Sequence, residues 1–438
     1  MAKAKKAGKD LTPEERLEQA LVPVEEQPYP VPENWCWVYS SSVFSIEYGK
    51  GLSTKQLVEK GYPVFGANGQ IGFYHSYMFE DIKALMSCRG AYSGTMNLSL
   101  PKSFITNNSL VIDCKDISMS AKFIYYLFEG ANKVRLVSGT AQPQVTVKAF
   151  ESFPVPFPPS SEQQRIVDRI ESLFAKLDEA KEKAQAVVDG FELRKSAILH
   201  KAFTGELTEL WRKENGMGLE NWKVKSLMEV ASLQTGLMKG KCYDGDTVFL
   251  PYLRVANVQD GFLDLAEIKT IEVNVQKVER YLLRKGDVLF TEGGDFDKLG
   301  RGTVWEGEIS NCLHQNHIFV VRPHKDILNP YFLSFQAGSK YGKTYFLSCS
   351  KQTTNLASIN STQLKKFPVK LPPLSEQIEI VSKISKLLKI EGQAKEAAEA
   401  VLSQIDTMKK AILARAFRGE LGTNDPADVW AGERGLSL

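Results

Sequence analysis

The apolar positions of this chain fall into one pattern that occurs twice. The segment from Phe153 to Leu207, FPVPFPPSSEQQRIVDRIESLFAKLDEAKEKAQAVVDGFELRKSAILHKAFTGEL, returns at a constant offset of 214 residues as Phe367 to Leu421, FPVKLPPLSEQIEIVSKISKLLKIEGQAKEAAEAVLSQIDTMKKAILARAFRGEL. Roughly half the aligned positions are identical, far more than two unrelated helices share by composition. In the first copy Ile166, Ile170, Leu173, Leu177, Ala180, Ala184, Val187, Phe191 and Ile198 recur in alternating steps of four and three, with Arg194 in one slot. In the second, Ile380, Ile384, Leu387, Ala394, Ala398, Val401, Ile405, Met408 and Ile412 do the same, interrupted at Glu391. This heptad seam predicts two long helices that each need a partner. The small residues Ala180, Ala184, Ala394 and Ala398 suit close approach of two axes. The economical arrangement is that the copies pack on each other, antiparallel and related by a pseudo-twofold axis.

The helix ends carry their own signals. Ser161 and Ser375 are the expected N-caps, with Gln164 completing a capping box in the first copy. Lys201 and Arg415 occupy the last turns, where a cation meets the negative end of the helix dipole, and Gly205 and Gly419 suit the stop. Ahead of these, Thr12 and Pro13 open a short helix, followed by the extended PVEEQPYPVPENW.

Each long helix follows a helix-poor segment that begins Glu-Asn-Trp, at Trp35 and again at Trp222, which suggests that the globules are themselves copies. In the first, Asn68-Gly69 between β-type runs predicts a hairpin, and SAKFIYYLFEGANK a helix capped by Ser120. In the second, NPYFLSFQAGSKYG predicts a helix capped by Asn329 with Pro330 at its first position. The helices are alike and the globules have diverged, as expected of a fixed frame carrying two variable readers.

The net charge of +3 over 438 residues permits nucleic-acid binding without arguing for it. The local distribution says more. Ile327 to Lys366 contains no acid but five lysines, Lys343 and Lys351 among them, beside Gln352, Thr353, Thr354 and Asn355, with Tyr341 and Tyr345 interleaved. Gly130 to Phe150, at the matching place in the first globule, again has no acid but carries Lys133, Arg135, Gln142, Gln144 and Lys148. Such stretches suit a nucleic-acid face: cations neutralise phosphates, and Arg, Asn and Gln make paired hydrogen bonds to base edges. Arg89, Ser93 and Asn107 in the first globule, and Arg254, Asn257, Arg301 and Gln315 in the second, complete the candidate DNA-contacting set on chemistry and position.

Catalytic chemistry finds little support. Asn329-Pro330-Tyr331-Phe332 lacks the second proline of an amino-methyltransferase loop and reads as a helix start. Asp295, Asp297 and Lys298 share one glycine-rich loop, whereas a metal nuclease needs carboxylates from separate elements. His314 and His317, three apart in a strand, would face opposite sides. There is no phosphate-binding G-x-x-x-x-G-K-S/T loop and no apolar run of membrane-spanning length. The six scattered cysteines form no C-x-x-C pair, which reads as a reduced, cytoplasmic protein without a zinc site.

The duplicated F-P-x-x-x-P-P-x-S-E-Q start (Phe153, Pro154, Pro158, Pro159, Ser161, Glu162, Gln163; Phe367, Pro368, Pro372, Pro373, Ser375, Glu376, Gln377) and the A-I-L-x-x-A-F-x-G-E-L end (Ala197–Leu207, Ala411–Leu421) resemble the conserved regions of type I restriction–modification specificity subunits. FGANGQIGFY, CRGAYSG and TNNSLVI in the first globule, and LRVANVQDG, KGDVLF, GRGTVW and QNHIFVVRP in the second, are similar to strand motifs of the family's target-recognition domains. The resemblance implies an α+β chain: two mixed α/β target-recognition domains joined by two long antiparallel coiled-coil helices, pseudo-twofold symmetric. The expected boundaries are an N-terminal extension (1–31), domain one (32–152), the first long helix (153–212), domain two (213–366), the second long helix (367–424) and a tail (425–438). The N-terminal extension is expected to meet the C-terminal GTNDPADVW tail.

It further implies a non-catalytic protein that binds double-stranded DNA, each domain reading half of a split site. It would dock two methyltransferase subunits, with motor–nuclease subunits joining the complex. S-adenosylmethionine, ATP and magnesium would belong to those partners, leaving this chain no cofactor of its own, and adenine is the expected target base. A helix of this length spans about 60 Å, or about 17 base pairs, and the expected bipartite site has a total span somewhat below that. The rival reading is a coiled-coil scaffold whose globules bind protein.

Overall fold

The computed structural model describes residues 13–115, 119–139, 141–238, 245–294, 299–352, 357–421, 424–425 and 427–428. The chain divides into two compact units, Met1–Ala184 with Ala400–Leu438, and Gln185–Glu399. The division falls within the long helices, so each unit is one globule plus a stretch of both.

In the first unit, β1 (Cys36–Tyr39) pairs antiparallel with β11 (Pro154–Phe157). β2 (Phe44–Tyr48), β5 (Ala84–Ser87), β6 (Met96–Leu98) and β8 (Ser109–Cys114) form an antiparallel sheet in the order β2-β8-β5-β6. β3 (Tyr62–Gly66) and β4 (Gly69–Tyr74) make the hairpin announced by Asn68-Gly69, with Gly69 at φ +81°, and β7 (Phe104–Ile105) runs parallel to β3. A short ribbon joins β9 (Val137–Ser138) to β10 (Gln144–Val145). The core lies between the sheet, the helix Ala121–Gly130 and the long helices. Phe44, Met86, Ile112, Phe123, Leu127, Phe128 and Phe150 are buried there with Ile166, Val167 and Ile170 of the first long helix and Leu413, Ala416 and Phe417 from the end of the second. Ser120 caps Ala121–Gly130 as its sequence predicts, its hydroxyl accepting from Lys122 N.

The second unit repeats this topology. β12 (Lys223–Ser226) pairs with β23 (Pro368–Leu371). β13 (Ala231–Thr235), β16 (Val288–Thr291), β18 (Gly302–Val304) and β20 (Ile318–Pro323) form an antiparallel sheet in the order β13-β20-β16-β18. β14 (Thr247–Leu253) pairs antiparallel with β15 (Lys269–Asn274) and parallel with β19 (Leu313–His314). The ribbon here is β17 (Gly293–Gly294), β22 (Ala357–Ser358) and β21 (Lys351–Gln352). The core gathers Val288, Phe290, Val321, Phe332, Phe346 and Phe367 against Leu199, Ala202 and Phe203 of the first long helix and Ile380 and Ile384 of the second. Asn329 caps the helix Pro330–Gly338 through Tyr331 N and Phe332 N.

The units differ after that helix, where the second continues as Lys340–Cys349 and the first has only a turn at Lys133–Arg135. The expected interleaving of Tyr341 and Tyr345 in a DNA face does not hold. Both rings pack on Phe367, and their hydroxyls donate to Pro368 O and Gln363 O, because the stretch is an amphipathic helix rather than a loop.

The first long helix runs Ser160–Asp189 and, past Gly190, Phe191–Thr204; the second is unbroken from Leu374 to Ala416. Within each unit the two run antiparallel. In the first unit Lys409 meets Asp178 (2.6 Å) and lies over Phe174, while Ile166 and Ile170 share a core with Leu413 and Phe417. In the second, Lys395 lies over Phe191, Arg194 pairs with Glu391 (2.6 Å) and Arg212 with Glu376 (2.6 Å). Arg194 and Glu391, the two polar residues that interrupt the seams, thus neutralise each other.

Two helix details depart from the sequence pattern. Val401 and Met408 are 41% and 42% exposed, while the seam residue Ile405 is buried and burial near the helix end falls on Leu413. A 3.5-residue repeat drifts around a helix of 3.6 residues per turn. Each helix also starts one residue before its expected cap. Ser161 donates to Asp428 (2.6 Å), and Gln164 bonds Asp168 instead of forming a capping box. The expected cap Thr12 lies outside the described residues.

The S-E-Q motif has a buried purpose. Gln163 and Gln377 donate to Pro158 O (3.0 Å) and Pro372 O (2.9 Å), tying each helix start to the strand before it. Glu162 and Glu376 are buried at 1% and 0% exposure. Glu376 accepts from Arg212 (2.6 Å), Thr208 (2.7 Å) and Trp222 (2.9 Å). Glu162 accepts from Arg165, which also pairs with Asp428. Within the first unit the N-terminal extension meets the end of the second long helix, where Arg418 lies over Tyr29, while the tail is met by domain one, Asn34 donating to Asp425 O (3.3 Å).

Candidate nucleic-acid interface

In each unit the loops at one end of the sheets converge. In the first, Cys88 N donates to Asn108 O (3.0 Å), Val145 N to Cys88 O (3.1 Å) and Gly90 N to Pro143 O (3.0 Å), while Arg89 bridges Gln144. The Asn68 hairpin joins them through Ser109 Oγ, which donates to Gly66 O (3.1 Å), and through the Ser87 hydroxyl, which donates to Ala67 O. Residues 66–69, 88–94, 106–108, 138–139 and 141–145 therefore form one surface.

The second unit builds the same surface. Gln315 N donates to Leu253 O (3.0 Å), Asn316 N to Leu237 O (2.9 Å), Glu292 N to His317 O (3.0 Å) and Ile359 N to Glu292 O (2.8 Å). Thr106-Asn107-Asn108, following β7, and Gln315-Asn316-His317, following β19, occupy the same topological place. Gly49 and Gly236 precede the contacts with these tripeptides. A Cβ on either would strike backbone carbonyls, of Ile105 and Thr106 or of His314 and Gln315.

The candidate residues divide by what their side chains already do. Arg89, Gln142 and Gln144 are exposed at the first surface and Asn107 is half-buried there; Lys351 and Gln315 lie at the second, and no side-chain partner is recorded for these six among the described residues. Others are spent on structure. Ser93 donates to Pro143 O (2.7 Å), Lys133 pairs with Glu129 (3.0 Å) and Arg254 with Glu267 (3.1 Å). Asn257, 3% exposed, accepts from Arg254 N and donates to Asp264 O and Glu267 O, so it holds its own loop. Arg301 donates to Gln259 (2.9 Å) and Lys343 lies 3.8 Å from Asp260. Arg135 lines a groove under the N-terminal extension, apart from the converging loops. Gln352 falls on β21; Asn355, Thr353, Thr354, Asp295, Asp297 and Lys298 lie outside the described residues.

Sequence reasoning passed over Asn68, Asn108, Asn316 and His317, which the same loops present. The available signal was the amide-bearing tripeptide that ends both F-I-T-N-N and L-H-Q-N-H. Among the described residues no group of three or more His, Cys, Asp or Glu could hold a metal ion, and no helix is long and apolar enough to cross a membrane.

His314 and His317 do part company, since β19 ends between them. His317 pairs with Glu292 at the surface. His314 is fully buried, donates from Nδ1 to Tyr281 O (3.1 Å), and leaves Nε2 without a partner. Burial depresses its pKa from 6.5 to about 4. The unfolded chain takes up this proton near pH 6.5 and the folded chain does not, so the neutral ring's contribution is whole above about 6.5 and lost as pH falls towards 4. The expected loss is about 3 kcal/mol across that window. His314→Gln should flatten the pH dependence of the chain's unfolding free energy, measured by urea denaturation, by about that amount; equal pH profiles for both proteins would refute it.

With two like folds presenting two unlike loop surfaces, comparison with known proteins gives the class. Residues 32–188 and 219–400 match the model of the type I restriction modification DNA specificity domain, and the chain belongs to that family. It is 28% identical over 293 residues to the type I restriction enzyme EcoKI specificity subunit of Escherichia coli strain K12, spanning 66% of this chain and 62% of that one. It is 24% identical to the EcoBI specificity subunit of Escherichia coli, over 89% of this chain and 86% of the relative. The crystal structure of the HsdS subunit from Thermoanaerobacter tengcongensis superposes with a TM-score of 0.61 at 19% identity, covering 91% of this chain and all of that one, which supports the fold.

Proposed function

We propose that this chain is the DNA-recognition subunit of a type I restriction–modification complex and that each globule reads one half of a bipartite site in double-stranded DNA. The observation that carries this reading is the recurrence of one loop surface on two folds that share the order of their main sheets but not their side chains: Asn68, Arg89, Asn107, Asn108, Gln142 and Gln144 on one, Gln315, Asn316, His317 and Lys351 on the other. Amides and guanidinium groups on such loops suit base edges in the major groove. The two long helices form an antiparallel coiled coil with pseudo-twofold symmetry, set the distance between half-sites and dock two methyltransferase subunits, with motor–nuclease subunits completing a cytoplasmic complex. Catalysis, S-adenosylmethionine, ATP and magnesium belong to those partners.

The test is methylome sequencing of a host expressing this chain with a cognate methyltransferase. The expected result is a split motif in which exchange of one globule alters one half only, and a heptad added to both helices alters only the gap. Purified chain should bind the site with a steep inverse dependence on salt. No methylation, together with salt-insensitive or absent DNA binding, would favour the scaffold reading.

A further inference from the structure

In the first unit the chain covers its own groove. The segment before Trp35 runs along the free edge of β1: Val22 N donates to Trp37 O (3.0 Å), and Leu21 bridges Val38 antiparallel. Ala20 and Val22 are buried, at 2% and 4% exposure. Further on, Trp37 Nε1 donates to Tyr29 O (3.1 Å), the two rings meet edge to face, and Tyr39 Oη donates to Glu26 (2.9 Å). The groove this segment enters is floored by Pro154, Pro156, Leu127 and Phe417.

The second unit has the same groove without the cover. Trp222 takes the place of Trp35, so Val224 stands where Trp37 stands, and Val224 faces Lys370 in the β12–β23 ladder as Trp37 faces Pro156. The chain ahead of Trp222 is otherwise engaged, as a helix, Glu209–Glu214, whose Arg212 is bound to Glu376. Among the described residues no strand pairs with the outer edge of β12. Trp37 is 3% exposed; Val224 is 66% exposed. On the same two-stranded sheet, β23 lines a groove of about 450 Å³ with Pro368 and Lys370, floored further by Leu199, Phe203 and Tyr341, and Lys370 is the cross-strand neighbour of Val224.

We propose that this edge and groove receive an acidic, proline-flanked segment of a partner chain, its first residues bridged to the edge of β12 as Leu21 and Val22 are bridged to β1, and the rest turned over the groove as residues 23–29 are. The backbone mode is strand addition at an open sheet edge. The acidic preference comes from the lining. His200, Lys340 and Lys370 surround the second groove with no carboxylate among its lining residues, whereas Ala414 stands in the first unit where His200 stands in the second. The first unit's own cover carries Glu25 and Glu26 between Pro23 and Pro28, the composition the second groove's charge would favour more strongly. This inference does not depend on DNA reading.

The test uses the full chain and a fluorescent peptide of residues 20–31 as the probe, with anisotropy as readout. The covalently attached cover competes for the first groove at an effective concentration on the order of millimolar, so the peptide reports the second. The expected result is saturable binding, weakened about tenfold or more by Lys340→Glu and by Val224→Pro, and by replacing both peptide glutamates with lysine. Arg135→Ala, in the first groove, should leave it unchanged. Circular dichroism and the thermal midpoint establish that each variant is folded, with Lys340→Glu, on an exposed first turn, the safer of the two. Absence of binding at millimolar peptide, indifference to Lys340→Glu, or sensitivity to Arg135→Ala would each overturn the proposal.

Discussion

Arg89→Ala is expected to weaken binding to the cognate DNA site about tenfold to a hundredfold and to relax selection at one base pair of one half-site. Arg89 is exposed on the loop surface of the first unit, its backbone is fixed by the bridge to Gln144, and no side-chain partner is recorded for it among the described residues. A guanidinium so placed has its donors free for a paired contact to guanine, worth about 1–3 kcal/mol of discrimination. If it meets a phosphate instead, binding should weaken on all sequences alike and the salt slope should fall by about one. Arg254 is the internal control. Its guanidinium is committed to Glu267, so Arg254→Ala should leave affinity within about threefold once folding is matched. Titration of both variants against cognate and singly mismatched duplexes at two salt concentrations separates these cases. Equal losses for Arg89→Ala and Arg254→Ala would sink the assignment of the first loop surface as a reader.

The contrast between those two arginines shows what a sequence can and cannot carry. Each stands just before a short helical turn, Gly90–Tyr92 or Val255–Asn257, so the local pattern does not separate them. Their difference is set by Gln144 in one case and Glu267 in the other, partners fixed only when distant strands pair. The local signals were legible because they are local: Asn68-Gly69 makes its hairpin, Ser120 and Asn329 cap their helices, and Gly205 and Gly419 end theirs at positive φ. The long helices were legible because a duplicated seam states its own period twice. The shared topology of the globules was not, since their strands are two to seven residues long and pair across large separations. The tripeptides ending in Asn108 and His317 become comparable only once β7 and β19 are seen to be the same strand. Tyr341 and Tyr345 misled because lysine-rich amphipathic helices and DNA-facing loops share a composition; burial of one face decides between them.

Glu376→Ala is expected to cost about 3–5 kcal/mol of stability in the second unit, more than any surface substitution proposed above. The reason is what it leaves behind. Glu376 is 0% exposed and its carboxylate collects donors from three places in the chain: Arg212, Thr208 and Trp222. Removing it strands the Arg212 charge, 4% exposed, with only Thr208 Oγ1 and Gly205 O as neutral acceptors. Replacing both charges avoids that penalty. Arg212→Met with Glu376→Leu should recover much of the loss, short of full because Trp222 Nε1 then has no acceptor. Chemical denaturation of the full chain, read from the transition that His314→Gln also moves, measures the cycle. A single Glu376→Ala loss below about 1 kcal/mol, or a double variant less stable than either single one, would show that the carboxylate does not hold this junction. The position matters beyond stability, because the network fastens the end of the first long helix to the start of the second. A loosened junction should blur the spacing between half-sites before it alters either half-site sequence, so Glu376→Gln, which keeps the acceptor and removes the charge, should broaden the gap tolerated in a methylome while leaving both recognition halves as they are.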